Sequence, residues 1–242
     1  MISKNQIKLI TALHQKKYRQ QHQLFIAEGE KIITEFLASN YQLDQLYVLE
    51  DSLCFSENSK KVVVSESDLK KISCLSAPNN CIAVFKMPHI TQISNNGLKV
   101  VLDDLQDPGN LGTIIRLCDW FGVADLICSL KTVDLYNPKV VQASMGSLAR
   151  VSVTYCNLSN YLKDVIVPVY GTFMDGENVY NQILPADAIL VLGNEGNGIS
   201  KLIEPFITKK VAIPRFGTLQ KTESLNVANA TAIFLSEFRR HG

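Results

Sequence analysis

The chain has 242 residues, 46% of them hydrophobic, and a formal net charge of +1. That length suits one or two domains, and the apolar share is ample for a globular core. The near-neutral total does not announce a nucleic-acid partner. No apolar run approaches transmembrane length, and the polar, basic first residues are not a signal peptide, so a soluble cytoplasmic protein without membrane contact is expected. Six cysteines stand at 54, 74, 81, 118, 128 and 156, with no C-x-x-C and no histidine at zinc spacing. They predict no metal site and a reducing compartment.

Residues 1–23 carry Lys4, Lys8, Lys16, Lys17 and Arg19 with no acidic residue. Such a patch is either a phosphate-contacting surface or a solvated helix face. Leu9, Ile10 and Leu13 recur at helical spacing, and a second helix fits Gly29–Ala38 with Ile32, Ile33, Phe36 and Leu37 on one face. Short apolar runs at Leu46–Leu49, Val62–Val64 and Cys81–Phe85 read as strands, and Ser65 opens a short helix. A small α/β unit is expected over residues 1–87. The polar, turn-rich stretch 88–97 reads as a linker.

From Leu98 onward apolar strands alternate with helices. Strands are predicted at Lys99–Leu102, Asp125–Cys128, Arg150–Thr154, Val167–Thr172, Ala188–Leu192 and Val211–Ile213. Helices are predicted at 111–121, 138–148, 157–164, 200–206 and 225–239. That alternation predicts an α/β domain with a parallel sheet and helices on both faces.

Three glycine- and asparagine-rich patches punctuate this half. The first is Asp107-Pro108-Gly109-Asn110-Leu111-Gly112, leading to Arg116. Asn110 is a candidate N-cap, and Arg116 follows within two helical turns. An arginine so placed is equally an ordinary surface ion-pair partner. The second is Gly193-Asn194-Glu195-Gly196-Asn197-Gly198. Its spacing is G-x-x-G-x-G rather than the dinucleotide fingerprint, and no Walker lysine follows. What the pattern supports is a glycine loop at a strand end, where backbone approaches a ligand, or else an ordinary βα turn. The third is Ile213-Pro214, then a polar loop, then Ser224-Leu225-Asn226-Val227-Ala228, where Ser224 is a candidate helix cap.

Together and in this order the patches resemble the three signature motifs of the SpoU (TrmH) family of RNA ribose 2′-O-methyltransferases, in the SPOUT superfamily. Residues 1–87 resemble the substrate-binding domain that often precedes the catalytic one, through Asn5, Ile7, Lys8, Arg19, Phe25, Glu28 and Gly29. The resemblance implies a ribosomal-protein-like α/β fold there, and over 98–242 a parallel-sheet SPOUT domain with a deep trefoil knot. It implies S-adenosylmethionine as cofactor, a homodimer and an RNA substrate. By position, loops near 171–175, 192–198, 212–217 and 224–229 would enclose the cofactor. The implied cofactor contacts are Thr172, Gly193, Asn194, Gly196, Gly198, Ile213, Pro214, Leu225, Asn226 and Ala228.

The implied catalytic set is Arg116, Asn110, Glu195, Ser224 and Asn226. A guanidinium is a poor proton acceptor, so a charged Arg116 is better suited to stabilise a developing alkoxide or grip a phosphate. The implied RNA contacts are Lys4, Lys8, Lys16, Lys17, Arg19, Ser144 and Arg215. The chain departs from the family pattern at Gln142, at Ala228-Asn229, and in a longer 217–224 loop carrying Lys221. Ribosomal RNA is the first substrate implied and transfer RNA the second. A non-catalytic RNA-binding protein using the knot to dimerise is a competing class. A nicotinamide-dependent enzyme is disfavoured by glycine spacing and position.

Overall fold

The computed structural model describes residues 2–49, 55, 59–88, 93–94, 96–219 and 224–240. Cys54, Lys221 and residues 89–92 and 95 of the expected linker lie outside the described residues. The chain separates into two compact units. One comprises Met1–Ile90 with Asp134–Arg150, the other Thr91–Val133 with Val151–Gly242.

The first unit opens with α1 (Lys4–Ala12), capped reciprocally by Ser3 and Gln6. Such a box satisfies two otherwise orphaned donors at the helix start. Helix α2 (Lys16–His22) ends on Gln23 in the left-handed region, φ 54°, and turns into β1 (Leu24–Glu28). Then come α3 (Glu30–Leu37), β2 (Leu43–Leu49), β3 (Lys61–Val64), α4 (Glu66–Ile72) and β4 (Cys81–Lys86). Ser65 caps α4, as its position predicts. The sheet order is β1-β4-β2-β3, antiparallel except for β2 with β3.

Strand alternation in β1 divides the core. Ile26 packs with Ile10, Leu13, Tyr47, Ile72 and Ile82. Phe25 joins Phe36, Tyr41, Phe85 and Tyr136 in an aromatic cluster with ring centroids 4.5–5.9 Å apart. Strand β1 itself has no counterpart among the predicted strands. Its five residues are short and follow a helix without a turn signal.

Tyr136 belongs to Asp134–Arg150, a segment expected inside the second domain. Asp134 pairs with Arg19 at 2.5 Å, and Arg150 pairs with Glu35. Within this segment α6 (Pro138–Ser144) is capped by Asn137 and stops at Met145, φ 51°. The predicted helix at 138–148 is therefore shorter, and a 3-10 turn at Ser147–Ala149 completes it.

The second unit is a six-stranded sheet in the order β10-β8-β9-β5-β6-β7. Its strands are β5 (Lys99–Leu102), β6 (Asp125–Ser129), β7 (Ser152–Cys156), β8 (Val169–Asn178), β9 (Ile189–Leu192) and β10 (Lys209–Ala212). All five pairings are parallel. Strand β8 runs beyond its predicted end at Thr172, and its pairing with β10 shifts register between Lys210↔Gly171 and Val211↔Glu177.

Helices cover both faces, because alternate side chains of each strand point opposite ways. Val101, Ile127, Val169, Ile189 and Val191 pack with Leu158 and Leu162 of α7 (Leu158–Lys163). Tyr170 faces the other way, its ring edge-on to Phe238 of α8 (Val227–Phe238) at 5.3 Å. Helix α5 (Pro108–Trp120) packs against α8. The stretch predicted as helix at 200–206 is instead a turn ending in a 3-10 helix, Glu204–Phe206, since Pro205 cannot continue an α-helix.

Candidate active site

Parallel sheets gather ligands outside the carboxyl ends of their strands. Strands β5 and β9 are neighbours in register, Leu102 opposite Leu192, so the loops that follow them emerge side by side. The first loop leads through Asp103 and Asp104 into α5. The second is the glycine loop 193–198.

The two loops are tied together. Asp103 is 4% exposed, and its Oδ2 accepts the Ser200 N–H at 2.8 Å. The Asn194 Nδ2 donates to the Asp104 carbonyl at 2.8 Å. Asp104 sits at φ 59°, and its carboxylate accepts the Ser129 hydroxyl at 2.7 Å. Within the loop, Asn194 Oδ1 accepts the N–H groups of Gly196 at 2.9 Å and Asn197 at 3.2 Å. The expected cofactor contact Asn194 therefore spends its side chain on shaping the loop. Asp103 and Asp104 are absent from the predicted site. Two adjacent acids at a strand end carry no signal in sequence until the loop that they hold is seen.

Gly193 and Gly198 are glycines for different reasons. A Cβ on Gly193 would lie 2.0 Å from the Gly198 carbonyl carbon, because the two loop ends cross there. Gly198 has φ 67°, which favours glycine, and a Cβ there would meet nothing within 4 Å. The loop is thus closed on its inner side and open at Gly198. Gly196 is exposed.

The third patch reaches the same place from α8. Asn226 is the cap of that helix: its Oδ1 accepts Ala228 N–H at 3.0 Å and Asn229 N–H at 3.3 Å. This corrects the expectation that Ser224 caps it. Ser224 is exposed and makes no hydrogen bond among the described residues. On α5 the cap is Asp107 rather than Asn110, its Oδ1 accepting Asn110 N–H at 2.7 Å. Pro108 at the first helical position, where its missing N–H costs nothing, explains the earlier start.

Freed from capping, the Asn110 side chain joins all three patches. Asn226 Nδ2 donates to Asn110 Oδ1 at 2.9 Å, and Asn110 Nδ2 donates to Glu195 Oε1 at 3.1 Å. Asp107 N–H also reaches Glu195 Oε1, at 3.4 Å. Arg116 is exposed on α5 and makes no hydrogen bond or ion pair among the described residues.

The remaining expected residues divide. Ile213, Pro214 and Arg215 line a cavity of about 330 Å³ with Met174, Gly176, Asn178 and Ala212. Thr172 lies where β8 changes register against β10. Leu225 is half exposed, whereas Ala228 is buried with its N–H taken by the cap.

In the first unit Lys4, Lys8, Lys16 and Lys17 are exposed. Arg19 is not: at 2% exposure it donates to Asp134 and to the carbonyls of Leu13 and His14, at 2.8 and 2.9 Å. Its guanidinium fastens the end of α1, so it is not a surface phosphate contact. Ser144 is fully buried and donates to the Val141 carbonyl at 2.8 Å, which removes it from an RNA-facing surface too.

A parallel sheet with three motif loops joined side chain to side chain at its carboxyl end defines an α/β ligand-binding domain of the SPOUT type. The chain belongs to the SpoU rRNA Methylase family, whose model matches residues 97–236. Residues 4–83 match the MRM3-like substrate binding domain. Among characterised relatives, the 23S rRNA (guanosine(2553)-2′-O)-methyltransferase RlmP of Bacillus subtilis is 31% identical, over 98% of this chain and 97% of that protein. A protein assigned to the TrmH family of RNA methyltransferases from Porphyromonas gingivalis has a solved structure 42% identical in sequence. It covers 100% of both chains with a TM-score of 0.91. The AdoMet-bound rRNA methyltransferase of Sinorhizobium meliloti is 27% identical over 100% of this chain and 97% of that one, with a TM-score of 0.88.

Proposed function

We propose that the chain methylates a ribose 2′-hydroxyl of ribosomal RNA with S-adenosylmethionine as donor. The observation that carries this reading is the hydrogen-bonded line Asn226–Asn110–Glu195, which joins all three motifs. The chain's likeness over nearly its whole length to a ribosomal RNA 2′-O-methyltransferase supports the substrate class.

The residues present fit the cofactor. The open side of Gly198, the exposed Leu225, and the cavity walled by Met174, Ile213 and Pro214 offer backbone polar groups beside apolar surface. Ligand sites combine those two features. The bound cofactor supplies a methyl group already activated on a sulfonium. What is left to the protein is alignment, charge stabilisation and removal of one proton.

Glu195 has one oxygen committed to Asn110 and the Asp107 N–H, and its other oxygen makes no bond among the described residues. That free oxygen suits holding the ribose hydroxyl. Arg116 carries a fixed positive charge that suits the developing alkoxide or an adjacent phosphate. Exposed Lys4, Lys8, Lys16 and Lys17 suit the phosphates of a structured RNA. The reading also includes a trefoil knot in the second unit, a homodimer, and work in the cytoplasm.

The test is methyl transfer to ribosomal RNA from labelled S-adenosylmethionine, with mapping of the 2′-O-methyl group. Arg116→Ala should lower turnover by roughly 10²–10³-fold, the scale of removing one group that stabilises the transition state. Arg116→Lys should also be poor, since a point charge does not replace a planar fork. Affinity for S-adenosylhomocysteine should be unchanged in both. Near-normal single-turnover methylation by the alanine variant removes Arg116 from the mechanism.

A further inference from the structure

The line of three side chains has a direction, set at one end by a helix and matched at the other by a carboxylate. Two backbone donors, Ala228 N–H and Asn229 N–H, face the Asn226 side chain. Only an oxygen can meet them, so the Asn226 amide is fixed with Oδ1 toward the helix and Nδ2 away from it. That Nδ2 donates to Asn110, which must present Oδ1 in return. Asn110 is then left with Nδ2 toward Glu195, which as a carboxylate can only accept. A free asparagine can turn its amide over at little cost. Here each amide is held by the one before it, and the first is held by a helix.

We infer that Asn226 is a positioning residue: pinned by the first turn of α8, its amide sets the direction of hydrogen bonding through Asn110 and so aims Glu195. The inference rests on the methyltransferase reading above for the use of Glu195, and on the geometry alone for the direction of the line. Asn226 thus has two separable tasks, capping α8 and polarising Asn110.

Substitution separates them. Aspartate caps a helix as well as asparagine and adds a favourable charge at the N-terminus. It has no donor, however, and would present an oxygen to Asn110 Oδ1. Asn110 would have to turn over, placing its own oxygen against Glu195. Serine also caps, but it has no second polar group with which to reach Asn110.

The experiment measures the unfolding midpoint and kcat for the full-length Asn226→Asp and Asn226→Ser variants. The expected midpoint for Asn226→Asp stays close to that of the parent chain, the added cap charge offsetting the oxygen that Asn110 then turns on Glu195, while its kcat falls about 100-fold, the scale of removing one hydrogen bond that serves the transition state. The serine variant should fall less. If kcat instead follows the midpoint across the series, Asn226 is only a cap and the inference is overturned.

A second measurement needs no activity. Glu195→Gln supplies a donor to a turned-over Asn110. It should raise the unfolding midpoint in the Asn226→Asp background and lower it, or leave it unchanged, in the parent chain. Equal effects in both backgrounds show that the two sites are not coupled and overturn the proposal. Should the parent chain transfer no methyl group at all, the functional reading falls, and this double-mutant cycle still decides the direction of the line.

Discussion

Gly193 shows how much of the site depends on what a residue lacks. Its Cα faces the returning backbone at Gly198 and Ile199, with no space for one more carbon. Gly193→Ala should therefore open the loop, lowering both the unfolding midpoint and S-adenosylhomocysteine affinity. Gly196→Ala is the control for folding, because a Cβ there would sit 3.6 Å from Asn194 Oδ1, in ordinary contact. Equal unfolding midpoints for the two variants would count against a closed loop. Asp103 holds the same loop from outside. Asp103→Ala leaves the Ser200 N–H without its acceptor and should cost about 1–3 kcal/mol in chemical denaturation, the usual penalty for an unsatisfied buried group. A cost near zero would mean that water replaces the carboxylate.

At the scale of elements, the basic helices α1 and α2 divide by burial. Lys8, Lys16 and Lys17 are exposed, whereas Arg19 is sealed against Asp134. Replacing the three lysines by glutamine should leave stability almost unchanged and weaken RNA binding. The log–log salt slope should flatten by about one unit for each phosphate that is no longer neutralised. Arg19→Ala should do the reverse, lowering stability by leaving the part-buried Asp134 carboxylate and the Leu13 and His14 carbonyls without their donor. RNA titrations at several salt concentrations, beside urea denaturation, distinguish the two. An unchanged salt slope in the triple variant reduces the patch to a solvated face.

The same contrast marks what was legible in the sequence. Charge and apolar period place Lys99–Leu102, α3 and the closing helix within a residue or two, because local pattern alone builds them. The three motifs single out Asn110, Glu195 and Asn226, which the structure joins by hydrogen bonds. They do not announce that Asn110 is released from capping by Asp107, nor that Asn226 takes over the cap expected of Ser224. Those outcomes depend on which of several competing side chains first satisfies a helix end. Arg19 reads as a surface charge because its partner lies 115 residues away.

At the scale of the whole molecule, the division into units bears on how assembly must be tested. Asp134–Arg150 lies between β6 and β7 in sequence, yet it packs in the first unit through Arg19–Asp134, Arg150–Glu35 and the Phe25–Tyr136 contact. Cutting the chain near residue 98 would strip that segment of its partners, so the full chain is the proper object. In the second unit Trp120 is 83% exposed at the end of α5, and Phe216 and Leu219 are about as exposed in the third motif's loop. Aromatic side chains are enriched in protein–protein interfaces, and an exposed tryptophan suits one. A homodimer that covers Trp120 is the expectation. Trp120 is the chain's single tryptophan, so its fluorescence reports on that surface alone. Light scattering of the full chain should give twice the chain mass of 26.9 kDa. Dilution toward the monomer should shift the Trp120 emission to the red as water reaches the indole. A fully active monomer would defeat the idea, and a dimer whose Trp120 emission ignores dilution would place the interface elsewhere.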